Sequence, residues 1–507
     1  MVEIALVALC AVTLISALKW RSALVLCVIV ALLQDPLRKI APGQPLYYNG
    51  FVGIVFAATF IGASMSGVRL GPNTIHGWRQ DLNVPFLLFC TLLGFQAIHS
   101  YVRWDNPYLP LIGGIFYLAP IAAITFAHQL VLRVGTAGIM RWMWFYVICA
   151  LPWLVGVYLE STGIRSDFLG EVGVGQIIYN VGAPTKANAG LFRAAEVAAW
   201  HVATTSIFLF MVLNGKKLSI PKTAVVVVVV AFLLGIGLLT GRRKMLVQVV
   251  VFASVYFCLF SWFVRGRAKL ALMIMFFGLA AFGAVLAAFG PDLGDVPMDA
   301  VQKAGAAGTQ FEAWQRRGWS VFADIPDRFR MIGYMPVVSA VYEFGWWGAG
   351  LGSAGQGAQY FGGGMQVFGG ALEGGLGKVT LDLGVPGLVV FVWLLITFAR
   401  LVWFRLAALS RSSRLHANLA FGLVGFLISN LAAFTVATQV FGDIYILLSI
   451  GFSIGILLAL PAVAARELGV VRAAPTVSPL MRRNSESNVS NSIVNIDAAK
   501  IALRENN

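Results

Sequence analysis

Three consecutive cations, Arg242, Arg243 and Lys244, stand between two apolar runs, 223–240 and 245–264. The far ends of those runs are marked by Lys216 and Lys217 on one side and by Arg265 on the other. About 23 residues separate the triplet from each cluster, which at about 1.5 Å per helical residue is one membrane thickness. The triplet therefore lies on the face opposite both neighbours. Lys and Arg normally gather on the cytoplasmic face, so one of these clusters breaks the rule, and chemistry is a reason to break it. Guanidinium groups suit bidentate phosphate contact, and an ammonium adds a point charge.

A second constellation is Arg193, Glu196 and His201, in Gly190-Leu-Phe-Arg-Ala-Ala-Glu-Val-Ala-Ala-Trp-His201. Helical spacing places Arg193, Glu196 and Trp200 near one face. One reading is an ion pair that ends a helix. The other is a carboxylate and an imidazole facing a cavity, because an ionisable group inside a membrane helix costs about 2.5 to 3.5 kcal/mol.

A third candidate is the stretch 345–377, in which fourteen of thirty-three residues are glycine. Among them stand Trp346, Trp347, Gln356, Gln359, Tyr360, Phe361 and Glu373. Glycine at this density lets backbone amides approach a ligand, and aromatic faces stack on sugar rings. Small residues also mark close helix packing, so both readings stand. No phosphate-binding loop, His/Cys/carboxylate metal spacing or Gly-x-Ser-x-Gly elbow occurs, and no bound metal is expected. His76, His99, His128 and His416 are isolated and suit packing or interfacial roles.

The elements that carry these residues follow from composition. The chain has 507 residues, 59% hydrophobic and 12% charged, with a mean hydropathy of +0.82. This predicts an all-α polytopic membrane protein of about 12 to 13 transmembrane helices, with a large outer-face loop containing short helices. Spans are expected near 3–18, 22–36, 49–67, 84–102, 109–132, 137–158, 194–214, 222–241, 245–264, 270–290, 379–404, 417–438 and 441–463. The second is short enough to be re-entrant. The first is followed by Lys19 and Arg21 without a small-residue cleavage site, so it reads as a retained helix. The membrane domain covers 1–464, with outer loops 159–193 and 291–378, and 465–507 is a polar, disordered cytoplasmic tail. Alternation of spans puts most Lys and Arg on one, cytoplasmic, side and leaves only Arg38, Lys39, Arg103 and the triplet in the short outer connections. The net charge of +15 is helix-flanking and does not imply nucleic-acid binding. All five cysteines lie in apolar segments and say nothing of redox compartment.

Leu239-Thr-Gly-Arg-Arg-Lys244, Trp347-Gly-Ala-Gly-Leu-Gly-Ser-Ala-Gly-Gln356 and Glu373-Gly-Gly-Leu-Gly-Lys-Val-Thr-Leu-Asp-Leu-Gly-Val-Pro-Gly-Leu388 resemble the O-antigen ligase and polymerase superfamily. The resemblance covers roughly 190–400 and extends more loosely over the whole chain. Gln34-Asp-Pro-Leu-Arg-Lys-Ile-Ala-Pro-Gly-Gln44 and the Arg193 to His201 run are similar to the exopolysaccharide polymerases within it. It implies undecaprenyl-pyrophosphate-linked oligosaccharides as donor and acceptor, the bacterial inner membrane, no cofactor and no nucleotide sugar. A chain-length regulator and a flippase are the implied partners. The family's ligases carry a catalytic histidine shortly before the glycine-marked last helix, whereas 202–415 here holds no histidine and Glu373 stands at that spacing. This departure favours polymerisation over ligation.

The expected mechanism has an acceptor hydroxyl attack the anomeric carbon while lipid pyrophosphate leaves. Arg242, Arg243 and Lys244 neutralise the leaving group, with Arg193 added to the clamp. Glu373 or Glu196 takes the hydroxyl proton, and Glu343, Trp347, Gln356, Gln359 and His201 contact the glycan. Arg316, Arg317, Arg328 and Arg330 either guide an anionic polymer or form a solvated face. A lipid-linked oligosaccharide flippase or exporter is the rival class, but internal repeats are missing.

Overall fold

The computed structural model describes residues 2–75, 78–172, 177–180, 183–214, 219–242, 244–270, 272–273, 334–355, 374–436 and 438–469. The helices are α1 (Val2–Leu18), α2 (Ala23–Ile40), α3 (Phe51–Met65), α4 (Asn83–Trp104), α5 (Tyr108–Ser161), α6 (Ala195–Leu213), α7 (Ile220–Leu239), α8 (Lys244–Phe263), α9 (Met335–Phe344), α10 (Gly375–Ser412), α11 (Arg414–Val436) and α12 (Ile444–Glu467). Between α5 and α6, the four-residue β1 (Ile177–Asn180) and β2 (Ala183–Lys186) form a small antiparallel hairpin in an otherwise helical fold. Among the described residues eight helices are long and apolar enough to cross a membrane, and the chain is a multi-pass helical membrane protein.

Lipid explains why such sequences are helical. Residues 225–230 are six valines, poor helix formers in water, yet they lie inside α7. In a bilayer every backbone amide must find its partner within the segment, and that requirement overrides the β preference of valine. Only 17% of the α7 span is buried by protein, against 83% for α6 and 72% for α12. Thus α6 and α12 are the interior helices, and α7 faces lipid.

Two long helices are broken at glycine. The 54-residue α5 has a non-helical Gly135 (φ 66°, ψ −173°). At about 1.5 Å per residue its length exceeds twice the hydrocarbon thickness, so it makes two passes with almost no connection between them. The 38-residue α10 breaks at Gly384 (φ 71°, ψ −179°), which separates a buried half-helix, 375–383, from a long second part.

Several expected boundaries shift. α10 starts at Gly375, so the outer loop placed at 291–378 ends earlier and its last residues are helical. α2 extends to Ile40 through Pro36, taking Arg38 and Lys39 into a helix rather than a connection, and it meets α1 at 110°. Most of the span expected at 270–290, most of the loop 291–378 and the tail after 469 lie outside the described residues.

Small residues set the central packing. α12 lies along α5, where a Cβ on Gly451 or Gly455 would collide with the carbonyl oxygens of Pro120 and Ile124. These glycines are four residues apart on one helix face, the spacing that brings membrane helices into backbone contact. At one end of this pair Glu467 accepts from the Thr136 amide (2.9 Å) and pairs with His416 (3.0 Å), closing the Gly135 break. Gly455→Leu is expected to destabilise the detergent-purified protein by about 1 to 3 kcal/mol, read as a lower melting temperature and yield. Gly94→Leu serves as the control, since a Cβ there meets nothing within 4 Å.

Candidate functional site

The other end of the bundle gathers the ends of α2, α5 and α7 with the starts of α6 and α12. The approach to α6 is an irregular turn, because Gly190 holds a left-handed φ of +61° and a Cβ there would strike the backbone of Val157. Glu160, in the last turn of α5, fixes this turn through its Oε2, which accepts from the amides of Ala189 (2.9 Å) and Gly190 (2.8 Å). Lys39 approaches from α2 and donates to the carbonyls of Gly190 (2.6 Å) and Phe168 (3.2 Å). Glu171 reaches the first amide of α6, accepting from Ala195 N at 3.0 Å, where Ala194 supplies no side-chain cap.

Arg193 sits at the centre. Its amide donates to Asp35 Oδ2 (3.1 Å), and its guanidinium lies 3.5 Å from Asp35 Oδ1 and 2.6 Å from Asp443 Oδ2. Asp443 is also the N-cap of α12, accepting from Tyr445 N at 2.7 Å and Ile446 N at 3.2 Å. Burial disfavours the charge on Arg193, but Asp443 and Asp35 outweigh burial and hold its pKa above the usual arginine value. Helical spacing predicts Arg193 on one helix with Glu196. It instead precedes α6, and its donors face two buried carboxylates, so it ties α2, α6 and α12 together rather than extending a phosphate clamp.

Arg242 and Glu196 meet across the bundle. Arg242 Nη2 lies 2.8 Å from Glu196 Oε1, with side chains only 10% and 6% exposed. The α7–α8 turn that carries Arg242 uses Gly241 at φ +68° and is held from the α6 approach by Asn188, whose amide donates to Leu239 O at 2.8 Å. Glu196, a candidate base, therefore faces a guanidinium, and positioning Arg242 is the role this geometry gives it. Lys244 begins α8, whereas Arg243 lies outside the described residues.

His201, expected at the glycan, is enclosed. It is 3% exposed, its Nδ1 is 2.7 Å from the Tyr146 hydroxyl, and its ring stacks on Phe192 and Tyr445 at 4.6 Å and 6.0 Å. It packs in the core among Tyr146, Phe192 and Tyr445.

Glu343 and Trp347 are exposed on and just after α9. The glycines that follow, Gly348, Gly350 and Gly352, serve packing. A Cβ on Gly350 (φ +102°) would come within 2.7 Å of Ser100 Cα, and one on Gly352 (φ +84°) would collide with Leu109 O. Gln96 and Ser100 of α4 bind the same strip, donating to Trp347 O (2.8 Å) and Leu351 O (2.9 Å). Gln356, Gln359 and Glu373, together with Arg316, Arg317, Arg328 and Arg330, lie outside the described residues.

The structure thus joins Arg193, Glu196 and Arg242, and adds Asp35, Asp443, Lys39, Glu160 and Glu171, which sequence reasoning does not assign to a site. The available signal is a carboxylate within or beside an apolar span, as at Asp35 and Asp443. Among the described residues no group of three or more His, Cys, Asp or Glu could hold a metal ion. The chain matches no protein-family model and no curated protein sequence.

Arg193→Met is expected to destabilise the protein by about 3 to 5 kcal/mol, because two buried carboxylates lose their cation. Arg193→Lys restores part of this, since an ammonium keeps the charge but not the planar fork. Melting temperatures in detergent check the order wild type, Lys, Met.

Proposed function

We propose that the chain is a membrane glycosyltransferase that joins undecaprenyl-pyrophosphate-linked oligosaccharide repeat units at the outer face of the bacterial inner membrane. The observation that carries this reading is Arg242, a cation at the turn between two apolar helices, drawn into the bundle end and oriented by Glu196. A guanidinium fixed at membrane-surface depth is what a departing pyrophosphate requires, because it stabilises developing charge without reorganising. The sequence adds Arg243 and Lys244 to the same turn. In this reading the described helices, with α5 counted as two passes, give about 12 crossings.

An acceptor hydroxyl attacks the anomeric carbon of the donor. The bond from that carbon to the phosphate oxygen breaks, the pyrophosphate leaves with its electron pair toward Arg242, and the hydroxyl proton passes to a carboxylate. Glu196 is committed to Arg242, so Glu373 is assigned that base. Glu343, Trp347, Gln356 and Gln359 orient the sugars, Trp347 through its exposed ring face.

Purified protein given lipid-pyrophosphate oligosaccharide is expected to lengthen the glycan without nucleotide. Arg242→Ala should lower the rate roughly 10²- to 10³-fold while the protein stays folded. Glu196→Gln should lower it less, since the amide still contacts Arg242 but loses the charge. Transport of the substrate across vesicles without joining, or full activity of folded Arg242→Ala, would sink the assignment.

A further inference from the structure

Gln96, on α4, is fully buried, and its Nε2 donates to Trp347 O (2.8 Å) and Leu383 O (3.2 Å). Two carbonyl acceptors fix which end of the amide is which, so its Oε1 is the atom that lies 3.0 Å from His99 Nδ1. A carboxamide oxygen only accepts. The proton of the neutral His99 ring therefore sits on Nδ1, and Nε2 is left as an acceptor on the side away from the buried glutamine. Among the described residues the ring makes no second hydrogen bond, and its side chain is half-buried.

This imidazole, isolated in the sequence, stands in an aromatic group. Phe95, one turn earlier on α4, stacks on it at 6.3 Å, and Trp347 lies 5.2 Å from Phe95. Both Phe95 and Trp347 are about half exposed. Gln96 itself holds the Trp347 backbone on α4, and Arg103, one turn beyond His99, donates to Gly348 O at 3.1 Å. α4 ends beside the start of α5, and α5 turns back at Gly135, so this group lies at the end of the bundle that holds Arg242. Aromatic rings at a membrane surface also serve as anchors. An anchor has no use for an imidazole held in one tautomer, whereas a sugar presents an apolar face for stacking and hydroxyl donors at its edge. An ionised phosphate, which only accepts, has no proton to give Nε2.

We infer that Phe95, His99 and Trp347 form a saccharide subsite, in which His99 Nε2 accepts from a sugar hydroxyl while the exposed rings stack on the sugar face. The inference rests on the reading of the substrate as a lipid-linked oligosaccharide, and it adds Phe95 and His99 to Trp347. Gln96 is a positioning residue, acting through the tautomer of His99.

The test is saturation-transfer NMR on the full-length protein in detergent. The probe is the oligosaccharide of the cell's own lipid-linked donor, released from its lipid by mild acid so that it cannot be joined. Wild type is expected to bind it. His99→Asn places an amide where Nδ1 stood and keeps a partner for Gln96, but loses the outward acceptor. His99→Gln does the reverse, bringing an acceptor oxygen to the position of Nε2. The subsite predicts an apparent Kd roughly tenfold higher in His99→Asn and close to wild type in His99→Gln. A purely structural histidine predicts the opposite order, and that result overturns the proposal, as does a wild type that does not bind. Trp347→Ala removes an exposed ring and should weaken binding by a similar factor. It carries the test if the His99 variants do not fold, and binding equal to wild type then overturns the proposal. Intact binding in a protein that does not join glycans counts against the polymerase reading alone. Joining by wild type, with His99→Asn binding the oligosaccharide equally well, counts against the subsite alone.

Discussion

The guanidinium of Arg193 between Asp35 and Asp443 is the contact on which the rest of the site depends. The three residues come from distant parts of the chain and are buried together at the end of a helical bundle. A charge in such surroundings is tolerated only when neighbours of opposite sign replace water. Each partner of Arg193 has a second structural role. Asp35 also accepts the Arg193 amide, which sets the chain direction into α6, and Asp443 caps α12. α6 and α12 are the two most enclosed spans, so the position of the interior is set where their N-terminal ends meet. The orientation of α6 then carries Glu196 to Arg242.

The helix breaks satisfy a related constraint. A chain at membrane depth cannot leave amides and carbonyls open, so an interruption persists only where protein closes it. At Gly384 the strip after α9 closes the break, with Ala349 N donating to Leu381 O at 2.8 Å and Val385 N donating to Trp346 O at 2.9 Å. Gln96 then bridges the two segments, donating to Trp347 O and to Leu383 O. Gly348, Gly350 and Gly352 are needed because backbone must lie on backbone there. At Gly135 the closing group is a side chain, Glu467, supplied by the end of α12.

Hydropathy makes most of the helices legible, because in lipid the length of an apolar run is itself the structural constraint. It fails where a polar residue has its partner far along the chain. Arg38 and Lys39 look like the start of a connection, yet they close the last turn of α2 because Lys39 finds carbonyls in the approach to α6, 151 residues away at Gly190. Asp35 is inconspicuous for the same reason, its partner being 158 residues distant. Helical periodicity places Arg193 beside Glu196, but the extended Ala194 (φ −149°, ψ 150°) interrupts the helix between them. His201 reads as a ligand because an imidazole in an apolar run is conspicuous. A single tyrosine hydroxyl and two stacked rings suffice to bury it. The basic triplet is legible from its spacing alone, but its carboxylate partner is not, since pairing across helices leaves no periodic trace.

The number of carboxylate partners separates the two arginines of the site. Arg193 lies between two buried carboxylates, Asp35 and Asp443, which occupy its guanidinium. Arg242 with Glu196 sums to zero. Residues 243 and 244 of the same turn add two positive charges, giving the α7–α8 turn an excess of +2. The cations whose partners do not match them in number are thus those of the α7–α8 turn, not Arg193. Glu196 further limits the motion of Arg242, and a guanidinium oriented in advance is the condition under which an electrostatic contact is strongest.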